Sequence, residues 1–309
     1  MSRLKGWRKF AALVLLALPF LWGARQWHIR ALERPRVVCL SSPETANDFT
    51  PTWSPKGDPI VFCRFMKLYR ISPDGKNCQP LLLLEHTQGT PAFSPDGRKL
   101  AFSSSHGGSI DLWVMDLETR RLTRLTHDEE RDVWPAWSPD GKRILFTKRI
   151  SSTRTTLFLL DLERGEEREF CPELSWGRCG SWSPDGKQVV FVSSGHEGES
   201  RGLWIAEADG THPRELYQSP SRDDEPCWSP DGRFIAFSSD QGGVMNIWLL
   251  EVETKRAFPL TFFTEGWASS PCFSPDGEWI VFARKVGSNS VLSKVKVPRH
   301  RISVVRREP

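Results

Sequence analysis

The chain has 309 residues, of which 39% are hydrophobic, 11% aromatic and 26% charged, with 14 tryptophans and 2 tyrosines. Its net charge of +4 hides a division: residues 1–36 carry +7 and the tail 294–309 carries +5, which leaves −8 over 37–293. An acidic body is a poor grip for phosphate backbones and excludes nucleic-acid binding; cysteines and histidines that never fall at ligand spacing exclude a zinc site.

At the N-terminus, Arg3, Lys5, Arg8 and Lys9 precede an apolar run of 15 residues, Phe10 to Ala24. This is the layout of a secretory signal. Such a run forms about 22 Å of helix, short of the roughly 30 Å hydrocarbon core, and so favours cleavage. Trp22, standing where a small residue is needed for a cut after Ala24, favours retention. The reading is one N-terminal hydrophobic helix over residues 1–24 acting as an uncleaved signal anchor. It places a single pass in the cell membrane with the rest of the chain on the periplasmic or extracellular side. Cleavage and secretion to the periplasm is the alternative. Residues 25–35 are a connector.

From residue 36 onward the chain repeats. An aromatic residue followed by Ser-Pro-Asp/Lys-Gly recurs six times, each with a phenylalanine nine positions later: Trp53/Phe62, Phe93/Phe102, Trp137/Phe146, Trp182/Phe191, Trp228/Phe237 and Phe273/Phe282. Successive repeats are 40, 44, 45, 46 and 45 residues apart. A period near 45 built of short β segments predicts a propeller with one sheet per repeat. Within the third repeat, Pro135-Ala136-Trp137 reads as extended, since a residue before proline avoids the helical region. Ser138-Pro139-Asp140-Gly141 turns the chain. Residues 143–147, 157–161 and 168–171 supply the remaining strands. The third strands share Leu68-Tyr69, Leu112-Trp113, Leu157-Phe158, Leu203-Trp204 and Ile247-Trp248, with Val291-Leu292 as a weaker sixth; large rings inside strands are expected to pack between blades. Repeat four has Gly180 where the others have proline two residues before the aromatic, which predicts an irregular face there.

The predicted fold is therefore all-β, a six-bladed β-propeller of four-stranded antiparallel blades over residues 36–305, followed by a basic tail, 306–309. Leu40-Ser41 stands 13 residues before Trp53, as Leu260-Thr261 stands 13 before Phe273. Residues 36–41 are thus expected to complete blade six and hide its free edge, with Arg301–Val305 as the competing filler. Cys63 and Cys78, on non-adjacent strands, lie beyond disulfide reach. Cys171 and Cys179 flank one loop and form the single plausible bond.

These repeats resemble the WD40-like PD40 repeats of TolB-type propellers. The likeness rests on the aromatic-Ser-Pro-Asp-Gly turns at 93–97, 137–141, 182–186, 228–232 and 273–277, and on Asp111-Leu-Trp-Val-Met-Asp116 followed by Leu125-Thr126. Relatives of this kind include TolB of bacterial envelopes and the propellers of prolyl peptidases. TolB carries an α/β domain ahead of its propeller, for which the connector here leaves no room. The peptidases need a separate hydrolase domain bearing a Gly-x-Ser-x-Gly elbow, for which the run of repeats leaves no room.

The resemblance specifies a fold more than a function. The leading expectation is a non-catalytic, membrane-tethered, monomeric interaction scaffold, because propeller ends are built of loops and loops on a rigid scaffold carry binding. The loops entering the first strands are acid-rich, with Asp48, Asp128, Asp132, Asp223, Asp224 and Glu265. They are read as a mouth that binds a cationic segment of an unidentified protein partner. No cofactor is expected. The second expectation is a ligand or cation sensor in which such carboxylates hold Ca²⁺. A third is a hydrolase using residues that converge at the channel, with His86, His106, His127, His196 and His212 spread over different loops.

Overall fold

The computed structural model describes residues 35–44, 46–82, 84–194 and 201–298. The predicted N-terminal helix and the basic tail lie outside them. Among the described residues, 24 strands form six four-stranded antiparallel sheets, and no helix is long and apolar enough to cross a membrane. Each sheet is a meander. In the third, Arg131–Trp137, Arg143–Arg149, Thr155–Asp161 and Glu166–Phe170 pair in chain order.

The sixth sheet breaks chain order. Ala268–Phe273, Trp279–Val286 and Asn289–Lys296 are completed by Val37–Cys39, with Val37 opposite Val295 and Cys39 opposite Ser293. The residues after this strand hold it in place: the Leu40 N–H donates to the Leu292 carbonyl at 2.8 Å, and the Ser41 hydroxyl accepts the Leu292 N–H at 2.9 Å. Thr126 accepts the Leu112 N–H and Thr261 the Ile247 N–H in the same way. The recurring Leu-Ser/Thr pair is therefore a hydroxyl clasp joining the outer strand to the third strand of its sheet.

The core consists of six slabs, one between each pair of neighbouring sheets. Phe62, Phe102, Phe146, Phe191, Phe237 and Phe282 are all buried. Phe102 and Trp113 pack on Val61 and Leu68 of the preceding blade, Phe146 and Phe158 on Ala101 and Leu112, and Phe237 and Trp248 on Val190 and Leu203. Phe62, Tyr69 and Trp53 pack on Val281 and Leu292, which closes the circuit between blades six and one. In blades one to five each buried phenylalanine stands directly across the ladder from the third-strand aromatic. In blade six, Phe282 faces Ser293. The sixth counterpart is therefore Leu292-Ser293, one residue beyond the pair expected from sequence.

The Ser-Pro-Asp-Gly turns share one hydrogen-bond plan. Ser94 donates its hydroxyl to Asp96 at 2.6 Å and accepts the Lys99 N–H at 2.9 Å, while Asp96 accepts the Arg98 N–H at 3.0 Å. Glycine ends each turn at positive φ, as at Gly97 (65°) and Gly141 (70°), a geometry without steric cost only for glycine. A Cβ on Gly97 would lie 3.1 Å from Pro55 of the preceding turn, so the turns stack in a ring around one end of the channel.

The serine hydroxyl foremost, with the backbone N–H, holds the Asp96, Asp140 and Asp185 carboxyls below their usual range. A lowered folded-state pKa adds stability above the unfolded value near 4, and that stability is lost as pH falls through the folded value. The triple variant Asp96→Asn/Asp140→Asn/Asp185→Asn is expected to melt lower at pH 7 and to show a flatter decline in melting temperature between about pH 5 and 2. A parallel pH series of thermal melts checks this; identical slopes would refute it.

Candidate functional site

The innermost strands are Asp48–Trp53, Gln88–Phe93, Arg131–Trp137, Gly177–Trp182, Asp223–Trp228 and Ala268–Phe273. All six contain the same β-bulge. At its centre Thr50, Thr90, Trp134, Cys179, Glu225 and Ser270 have φ between 44° and 54°. The short segments read as plainly extended are thus kinked. In five blades the next residue is proline, which has no N–H to lose where the ladder is interrupted. Blade four keeps the bulge despite Gly180, so the expected irregularity does not occur. A Cβ at Gly180 would meet Leu145 Cδ2 at 2.2 Å, and glycine there leaves room for that core leucine. In blades three, four and six the bulged N–H freed from the ladder is taken up by the preceding blade. Trp134 donates to Thr90 Oγ1 at 3.1 Å, and Ser270 donates to Glu225 Oε2 at 2.7 Å.

These kinked residues and their prolines line a constriction of about 130 Å³ on the axis. Above it, on the end opposite the turns, opens a mouth of about 530 Å³. Its wall at blade one is apolar, with Phe49 and Met66. Its wall at blades three and four carries Arg131, Arg149, Arg178 and Arg201 with Trp134 and Trp176. The Arg201 guanidinium lies 4.3 Å from the Trp176 ring centre, and Arg178 lies 5.7 Å from Trp134 and 5.6 Å from Trp176. Among the described residues lining this mouth none is a carboxylate.

The carboxylates assigned to the mouth from sequence lie elsewhere, and the expectation of an acidic site for a cationic segment is corrected on that ground. Asp48, Asp132 and Asp223 occupy the same register position at the start of blades one, three and five, opposite Arg64, Lys148 and Ser239, and all are fully buried. Asp48 holds Arg64 through two bonds of 2.6 and 2.9 Å. Asp223 accepts the Ser219 hydroxyl at 2.8 Å. Asp128 is paired with Lys148, whose ammonium is also 2.8 Å from Glu167 and 4.0 Å from Asp132. Burial pushes the Asp132 carboxyl up to about 7 and raises that of Asp223. Asp224 is neutralised by Arg178 and by Arg222, the latter at 3.0 Å. Glu265 is exposed, outside the residues lining the mouth.

Charge counting along the loops missed the arginines because it ignored alternation. Asp132 follows Arg131 directly, and adjacent residues of a strand face opposite sides, so the acid went into the sheet and the base to the mouth. A period-2 reading of Arg131-Asp132-Val133 was the available signal. Trp176 and Arg201 sit outside regular strands, where no periodicity reports them. Cys171 and Cys179, whose bonding the sequence left open, are separate buried thiols; burial pushes the Cys171 thiol up to about 12. His86 and His106 pack ring to ring at 5.0 Å, and His106 lies 5.0 Å from Trp113.

Six closed four-stranded sheets with a bulged inner wall define a β-propeller of the PD40 class. The TolB beta propeller domain profile matches residues 148–307, and the chain belongs to this family. The profile of the Tricorn protease N-terminal beta propeller domain matches residues 50–201. The Tol-Pal system protein TolB of Francisella tularensis subsp. holarctica is 27% identical over 184 residues, covering 57% of this chain and 42% of that protein. The chain thus matches less than half the length of that curated relative. Among solved structures, putative TolB from Agrobacterium tumefaciens superposes with a TM-score of 0.64 at 22% identity, covering 82% of this chain and 91% of that one. An oligogalacturonate lyase from Vibrio parahaemolyticus superposes at 0.61 with 14% identity, covering 87% and 95%. Both likenesses are of fold.

The Asp48–Arg64 pair is the most enclosed bidentate ion pair of the inner wall, with Arg64 also 5.2 Å from the rings of Phe62 and Tyr69. Arg64→Met leaves a buried carboxylate without its cation and is expected to cost about 3–5 kcal/mol. Adding Asp48→Asn to that variant should restore most of the loss. Urea unfolding of the two single variants and the double reads the coupling; additive effects would refute it.

Proposed function

We propose that the protein is a non-catalytic interaction scaffold whose channel mouth receives an anionic, partly apolar segment of a protein partner. The observation that carries this reading is the composition of the mouth, with Arg131, Arg149, Arg178 and Arg201 on one side, the last two against tryptophan rings, and Phe49 with Met66 on the other. Guanidinium groups take carboxylates in paired hydrogen bonds, and aromatic rings with arginine are the side chains that dominate binding energy at interfaces. The bulged ring below narrows the channel, so a segment would seat on the mouth rather than thread through it. The rigid backbone closure keeps the ordering cost on the partner's side.

The name of the Francisella relative, a Tol-Pal system protein, supports a role in a multiprotein assembly at the cell envelope. The basic and apolar leader supports an extracytoplasmic location, as an anchored or exported monomer. His86 and His106 pack on one another and on Trp113, which supports a packing role for these two.

A fluorescein-labelled peptide of alternating glutamate and phenylalanine is expected to bind the full chain, to weaken as salt rises, and to outcompete a lysine-rich peptide of the same length. Arg131 and Arg201 are exposed, so Arg131→Glu/Arg201→Glu should keep the wild-type melting temperature while lowering affinity by about tenfold or more, or roughly 1.4 kcal/mol. Fluorescence anisotropy gives both values. Preference for the lysine-rich peptide, or binding indifferent to the double reversal, would overturn the reading.

A further inference from the structure

We infer that the protein carries a divalent-cation site between blades two and three, formed by Asp111, Asp128 and Asp132. These residues come from three elements. Asp111 stands early in the third strand of blade two, Ser109–Asp116. Asp128 lies in the loop that leaves that blade, and Asp132 lies in the innermost strand of blade three, Arg131–Trp137. Each offers a carboxylate oxygen, and the three oxygens lie within 4.8 Å of one another. Two oxygens bound to one Ca²⁺ at 2.3–2.6 Å can be at most about 5 Å apart, so one ion can reach all three.

The second observation concerns what is left over once the cations already present are assigned. Arg124 takes Asp111 Oδ2 at 2.8 Å, and Lys148 takes Asp128 Oδ2 and Glu167 Oε1. Asp111 Oδ1, Asp128 Oδ1 and both oxygens of Asp132 remain buried without a hydrogen bond of normal length, although the Thr126 hydroxyl and the Lys148 ammonium, the latter at 4.0 Å, face Asp132 and hold its carboxyl down against burial. Asp111 and Asp132 are fully buried, so bulk water does not serve them. Buried carboxylate oxygens demand a partner, and the three carboxylates that carry them meet at one place. The local charge agrees: four carboxylates against Arg124 and Lys148 leave two negative charges, those of one divalent ion. An all-oxygen, irregular set suits calcium better than magnesium, which requires near-octahedral geometry and keeps its waters. Asp128, with 29% of its side chain exposed, opens the way in from solvent.

The ion would tie blade two to blade three directly beside Arg131, and so fix one wall of the mouth. The inference stands whether or not that mouth binds an anionic segment.

The full chain, stripped with EDTA, is titrated with CaCl₂ by isothermal calorimetry and by thermal melting. One ion per chain and a saturable rise in melting temperature are expected. Asp128→Asn relieves like-charge crowding, so in EDTA it should melt at or above wild type. In calcium it should gain little and bind at least tenfold more weakly. Asp111→Asn should behave alike, and if it fails to fold, the half-buried Asp128 position still decides. Absence of binding at millimolar calcium, or equal affinity in wild type and Asp128→Asn, would overturn the site.

Discussion

Closure of the ring is the constraint on which the rest of the structure depends. Each blade buries one face against its neighbour, so six sheets have six interfaces only if the last meets the first. The three residues Val37–Cys39 do this by pairing with the final strand of blade six, across more than 250 positions of chain. They remove an open edge that would otherwise recruit another strand. The slab between blades six and one, with Phe62 and Tyr69 on Val281 and Leu292, then shares its packing with the other five. Blade geometry on one side of the molecule is thereby held by contacts on the other, and the channel acquires a fixed diameter.

The bulge in the innermost strands converts that frame into a surface. By placing one residue per blade in the left-handed region, it turns six side chains towards the axis and sends the position at the start of the strand into the sheet. The consequence for charge is large. Asp48 at the start of blade one becomes the buried counter-ion of Arg64, Asp132 at the start of blade three is buried in the sheet, and the described wall of the mouth carries arginine and tryptophan. The charge lining the mouth was set here by strand alternation, not by the composition of the loops.

Much of the architecture was legible in the chain. The aromatic-Ser-Pro-Asp-Gly turn is local, each residue contributing a short-range hydrogen bond or a backbone preference, so it survives translation into structure almost unchanged. Ring closure by residues 36–41 was legible for a related reason, since Leu40-Ser41 keeps the spacing of other outer strands and uses its hydroxyl as they do. The candidate site was poorly legible. Asp132 and Arg131 are adjacent in sequence and part company only through strand alternation. Arg178 meets Asp224 from 46 residues away, a pairing that no local pattern announces. Whether Cys171 and Cys179 are bonded was open in the sequence, because nearness in the chain does not settle how two side chains are aimed.

By itself, the amino-acid sequence determined blade number, strand order within each blade, the turn chemistry at one end of the ring and the aromatic packing between sheets. All of these follow from residue preferences acting over a few positions and repeated six times. Only the tertiary structure decided which polar side chains face the axis, which are consumed in buried pairs, and where three carboxylates from two blades meet. Those outcomes depend on register across the bulge and on contacts between blades, whose energies come from burial and charge pairing at distances along the chain that sequence periodicity does not encode.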